Sequence, residues 1–143
     1  MLKITVQGVD LAISKLTSMH KEFPAMLEKA MLQTVLYVQG QLPGYPPPPP
    51  ASKYKRTGTL GRTVTSLAGQ HPDALTKVQP IFGGVQGIIG TQLKYAPYVI
   101  DEERQAEVHR GRWWTLQAEV RRQTDRIVEF LSKKVTEFVN RYL

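Results

Sequence analysis

Four side chains lie close enough in the sequence to suggest acid–base or metal chemistry: Glu102, Glu103, Glu107 and His109. An enzyme needs a nucleophile with its base, paired carboxylates in a cleft, or a metal cluster. Carboxylates beside an imidazole are the right types for hydrolysis. Their separations of four and two residues match neither HExxH nor another metal signature. A solvated loop or short helix accounts for them without any chemistry. His20 and His71 stand alone, and the chain has no cysteine, which excludes disulfide frameworks, thiolate metal sites and cysteine nucleophiles. The glycines form neither GxGxxG after a strand nor a P-loop, so no phosphate cradle is expected. The expectation is a protein that is not an enzyme, with no catalytic residues, cofactor or metal. A hydrolase using Glu103, Glu107 and His109 is kept as a third alternative.

Binding chemistry is better represented. Tyr54-Lys55-Arg56 and Arg110-Gly111-Arg112-Trp113-Trp114 set cations beside aromatic rings, a pairing that can neutralise and stack on single-stranded nucleic acid. The spacing matches no RNA-binding module. Adjacent tryptophans more often mark core and interface, one ring pointing in and the other covering a contact surface. Net charge is +7, with an uneven distribution. Residues 29–100 hold seven basic side chains (Lys29, Lys53, Lys55, Arg56, Arg62, Lys77, Lys94) against Asp73 alone. A field of that sign favours nucleic acid or an acidic protein face; the plainer account is solubility.

The elements that must hold these groups read as follows. Lys3 to Val6 alternates like a short strand. Residues 10–41 read as helical, with Asp10 as N-cap and a break near Pro24, which fits the first turn of a second helix. Met19, Met26 and Met31 fall at core-facing spacing and are read as filler. Pro46 to Pro50 are five consecutive prolines. They favour polyproline II, either as a ligand for a proline-reading domain or as a stiff arm over 43–56 that presents Tyr45, Lys53, Tyr54, Lys55 and Arg56 away from the core. Three β-branched residues, Thr63, Val64 and Thr65, predict a strand, as do Thr76 to Phe82, with Pro80 confining that strand to an edge, and Val85 to Ile89. Together these predict a small antiparallel meander. Thr115 then caps a helix about 40 Å long at 1.5 Å per residue. Its apolar face runs through Leu116, Val120, Ile127, Val128, Leu131, Val135, Phe138, Val139 and Tyr142, and Glu119 falls on the polar side.

These elements make one α+β domain over 1–143: a small antiparallel sheet, an N-terminal helical region and a long C-terminal helix. Hydrophobic residues are 41% and charged residues 22%, ordinary for a globular chain. The N-terminus lacks the apolar run of a signal peptide, and no window reaches 18 uninterrupted apolar residues. A soluble protein made in a cytoplasm is expected.

Two motifs, Arg56-Thr57-Gly58-Thr59-Leu60 and Tyr95-Ala96-Pro97-Tyr98-Val99, recur in order after the proline run and before the basic–aromatic segment and final helix. That arrangement, over roughly residues 10–120, resembles the tail-component family of tailed bacteriophages, the head–tail joining or tail-completion proteins of long-tailed phages and prophages. The family has a small antiparallel sheet with a long helix packed on it and assembles as rings at the neck or tail end. Many members carry a glycine soon after the second motif; Ile100-Asp101-Glu102-Glu103 has none, so the loop leaving that motif differs here. The resemblance implies a virion structural protein of the neck or tail, assembled in the bacterial host cytoplasm. Its implied partners are other copies of itself in a ring and adjacent neck or tail proteins, with no membrane. A ring makes head-to-tail contacts between two different faces. The basic middle third, an acidic patch at 101–103 and the proline arm are candidate faces, and the basic residues are also placed to line a lumen that DNA crosses. Expected interface residues are Tyr45, Tyr54, Lys55, Arg56, Arg62, Tyr95, Tyr98, Trp113 and Trp114, the aromatics as anchors within a charged rim. A basic nucleic-acid-binding protein is the alternative reading.

Overall fold

The computed structural model describes residues 2–5, 21–48 and 57–142. Its elements are β1 (Leu2–Thr5), α1 (Phe23–Gln41), α2 (Thr59–Val64), β2 (Lys77–Ile81), β3 (Gly84–Ile89), α3 (Ala96–Ile100), a 3-10 turn (Glu107–His109) and α4 (Leu116–Tyr142). The fold is α+β, with an antiparallel sheet and a long C-terminal helix.

The sheet is a β2–β3 hairpin with β1 paired to the other side of β3, order β1-β3-β2 and antiparallel throughout. Pro80 sits on β2, an edge strand, where its missing N–H breaks no ladder bond. The hairpin reverses through Phe82 and Gly83; Gly83, at φ 78°, supplies the left-handed residue such a tight turn needs. The third strand expected at Thr63–Thr65 is instead the helix α2, and β1 takes its place in the sheet. Leu60, Thr63 and Val64 are buried at i, i+3 and i+4, a helical stripe that outweighs the β preference of Thr63 and Val64. Gly58, at φ 76°, starts the helix in a conformation that other residues adopt at a cost.

Helix α1 lies between the sheet and α4, contacting β2, β3 and α4. It buries a wide stripe for this: Phe23, Leu27, Ala30, Met31, Thr34, Val35 and Val38. Pro24 falls in its first turn, as expected. The part of the expected helical region at 10–20 lies outside the described residues. At the sheet, α1 presses on Gly87 so closely that a Cβ there would lie 2.7 Å from Val35 Cγ2 and 2.9 Å from Met31 Sδ. Val35 is β-branched and cannot swing aside within a helix. Gly87→Ala is therefore expected to cost about 1–3 kcal/mol through overpacking. Urea unfolding checks it, and an unchanged midpoint would show that helix and sheet lie further apart.

Helix α4 buries Leu116, Ile127 and Phe138, spaced by three turns along one line of the helix, with Val120, Leu131 and Val135 partly covered beside them. Thr115 caps it through Oγ1, which accepts from the Ala118 N–H at 3.3 Å. Two residues depart from the expected faces. Val128 is exposed, and Glu119 is buried, paired with Arg122 at 3.2 Å. A second tie joins α1 to α4: Arg126 donates to the Tyr37 hydroxyl (2.9 Å), which donates to Gln123 (3.2 Å).

Candidate functional site

The proline segment does not lead Tyr45 away from the core. Residues 42–48 form neither helix nor strand, and Tyr45 is half-buried. Its hydroxyl accepts from the Gly61 N–H at 2.7 Å, and its ring packs at 5.1 Å from that of Trp113. Two further bonds fasten the segment. Trp114 Nε1–H donates to the Gly44 carbonyl (3.2 Å), and Arg112 donates to the Pro47 carbonyl (3.1 Å). Prolines leave carbonyls free and donate nothing, so a neighbour able to fix them must supply N–H groups. Trp114 and Arg112 do that. Both tryptophans are half-buried and pack against the core. Tyr54, Lys55 and Arg56 lie outside the described residues.

Gly61 is what lets Tyr45 settle. A Cβ at position 61 would meet the tyrosine ring at 3.2 Å. Gly61→Ala is expected to displace that ring, weaken the Gly61–Tyr45 bond and destabilise the protein by about 1–2 kcal/mol. Near-ultraviolet circular dichroism, which reads the Tyr45–Trp113 packing, checks it; an unaltered spectrum would refute it.

Beyond the tyrosine, the two motifs meet. Tyr45, Pro48, Thr57, Gly58, Thr59 and Leu60 from one side, Tyr95, Tyr98 and Val99 from the other, and Val108, His109, Arg112 and Trp113 from below line one groove of about 430 Å³. Its lining is mostly apolar and aromatic, with no carboxylate among the described residues. Tyr98 is 60% exposed and Val108 63% exposed at its mouth. Three devices hold the walls. Thr57 and Thr59 share a hydroxyl hydrogen bond of 2.8 Å across Gly58. Pro97 fixes the first turn of α3 below Tyr95. Buried Gln105 donates from Nε2 to the carbonyls of Val99 (2.7 Å) and Trp113 (3.2 Å), joining α3 to the tryptophan loop. Arg62 is exposed and donates to Thr59 Oγ1 at 3.3 Å, so of the expected interface set Tyr45, Arg62, Tyr95, Tyr98 and Trp113 come together at or beside this groove, with Trp114 behind it. Gln105, Val108 and Gly61 were not singled out from the sequence; only Gly61, three residues after Gly58 in a helical turn, carried any signal.

The acid–base group disperses. Glu102 is paired with Arg121 of α4, Nη1 to Oε2 at 2.9 Å. The hydrogen bond from Arg121 holds the Glu102 carboxyl below its ordinary value of 4.5, and Glu102 in turn raises the Arg121 guanidinium. A lowered carboxyl favours folding above its unfolded pKa and loses that contribution as pH falls through the folded one; the exposed pair makes the effect small. Asp101 accepts from Gln117 (3.1 Å) and from the Glu103 N–H (3.0 Å). Asp101 and Glu102 are thus engaged within the chain, while the Glu103 side chain is exposed. His109 faces the edge of Trp113, ring centroids 6.2 Å apart, as part of the groove wall. Among the described residues no three His, Asp or Glu side chains gather closely enough to hold a metal ion, and no helix is long and apolar enough to cross a membrane.

Against family models, curated proteins and solved structures, the chain finds no match.

Proposed function

We propose that this chain is a structural protein of a tailed-phage particle, acting in head–tail joining or tail completion by self-association and docking to neighbouring neck or tail proteins. One observation carries the reading. The two motifs on which the resemblance rests line a single aromatic groove, while the only group of residues suited to hydrolysis is spread among an ion pair, a loop and a groove wall. An apolar groove with a few polar edges supports a binding role, and no carboxylate is among the described residues that line it. Large apolar side chains exposed on separate elements (Leu32 and Leu36 on α1, Phe82 on the hairpin, Val128 on α4) also fit a chain that is covered in an assembly.

The test has two parts. Antibodies against the chain should label the neck or tail of purified particles from the host that encodes it; a chain absent from the particles overturns the reading. Sedimentation at varied protein and salt concentration, with and without DNA, should give association that needs no DNA. Mass gained only with DNA, and lost as salt rises, would replace this reading with the nucleic-acid one.

A further inference from the structure

The hairpin tip and the groove form a complementary pair of surfaces on one chain. Phe82 is fully exposed, at 102% of its reference area, and the residues after it, Gly83 and Gly84, have no side chains to shield the ring. A phenylalanine ring brings roughly 150–250 Å² of surface that gains by leaving water. The groove offers about 430 Å³ walled by Tyr45, Tyr95, Tyr98 and Trp113. Aromatic walls suit an aromatic guest, through tilted and edge-to-face contacts.

We propose that copies of this chain associate head to tail, the Phe82 tip of one copy seating in the aromatic groove of the next. This rests on the assembly reading and names its contact. Placement on the chain supports it. The tip lies at the start of β3, whereas Tyr95 and Tyr98 follow its other end. The six residues of β3, at about 3.3 Å each, separate the tip from the strand's other end by roughly 20 Å. Phe82, fully exposed, does not sit in its own chain's groove, and two different patches meeting between copies make a heterologous contact, the kind that builds rings or filaments.

Charge selects the same surfaces. Copies at +7 repel, so they must meet where charge is sparse. Residues 78–93, which include the whole tip, contain no charged side chain. Among the described residues that line the groove, Arg112 and His109 are the basic side chains, and Arg112 is engaged with the Pro47 carbonyl. A nucleic-acid strand would instead want a line of free cations to track its backbone, and the described residues lining the groove include two basic side chains, one of them engaged. Size sets the strength. A single aromatic knob with its flanks covers a few hundred Å², below the roughly 1,200–2,000 Å² of a stable complex. Association of the free chain is therefore weak, and repetition around an assembly strengthens it.

The absence of cysteine makes the contact directly readable. Single variants Pro80→Cys and Val108→Cys, both at exposed positions and both keeping Phe82, are mixed in equal amounts and treated with a short bismaleimide. The expected result is mixed dimers well above the half that random pairing yields, and a ladder of multimers from the double variant. Random pairing and no ladder overturn the proposal, including for a wild type that sediments as a monomer. In parallel, Phe82→Ala is expected to weaken concentration-dependent sedimentation about tenfold or more, with unchanged circular dichroism and melting. If Phe82→Ala associates like the wild type, this contact falls while the assembly reading stands; absence from particles removes that reading whatever the cross-linking shows.

Discussion

Replacing Phe23 by alanine is expected to remove about 3–5 kcal/mol of stability, the largest loss foreseen for a single side chain here. Phe23 opens α1 and has no exposed surface. Its ring packs against Phe138 near the end of α4, centroids 5.4 Å apart and tilted by 58°. The site joins the first turn of one helix to the last turns of another. Phe23 and Phe138 both belong to the buried core, so the space a missing ring leaves is walled by packed side chains and is only partly refilled. The lost aromatic pairing adds to the lost burial. For a chain of this length the change lowers the melting temperature by about 10 °C or more. Urea unfolding should show a lower midpoint with an unchanged slope, since the surface exposed on unfolding is nearly the same. A loss below about 1 kcal/mol would mean that the two helices do not meet at their ends.

That helix pair was legible in the sequence because its signals are local and repeated. The α4 stripe recurs over seven turns, and Thr115 marks its start with a hydroxyl that does cap. Pro24 and Pro80 each restrict the backbone enough to place a helix start and an edge strand. Where the reading failed, a distant partner decided. Thr63-Val64-Thr65 has strand propensity, yet Leu60, Thr63 and Val64 share one helical face that the core covers. Gln39 of α1, 25 residues earlier, donates to the Val64 carbonyl at 2.8 Å and so satisfies an end of α2 that propensity cannot see. Tyr45 was placed outside for the same reason. Stiffness of the proline run is local and correctly read, but the direction in which a stiff segment points is set by Gly61, Arg112 and Trp114. The groove joins residues from Tyr45 to Trp113, so its existence, unlike its aromatic composition, had no local signature.

Gln105→Leu is expected to destabilise the protein by about 2–4 kcal/mol and to open the groove. Gln105 is 8% exposed, and its amide donates to two carbonyls from different elements: Val99 near the end of α3, and Trp113 just before α4. Leucine matches the volume but supplies no donor. Each carbonyl left unsatisfied where it is buried costs about 1–3 kcal/mol, and solvent reaching the loop offsets part of the sum. The consequence extends beyond stability because Val99 and Trp113 both line the groove. Without the glutamine between them the tryptophan loop is free to move relative to Tyr95 and Tyr98. Glutamate at the same position is a sharper comparison: one oxygen replaces the donating nitrogen and faces the same two carbonyls, so Gln105→Glu should be at least as damaging at neutral pH and recover as the carboxyl is protonated and regains a donor. Thermal melts of both variants across pH, with tryptophan fluorescence reporting on Trp113, measure this. If both melt like the wild type at every pH, the groove walls are held by something other than Gln105. If the glutamate variant recovers in acid while the leucine variant does not, a hydrogen-bond donor at position 105 sets the groove width, and any partner seated there binds a surface shaped by one buried side chain.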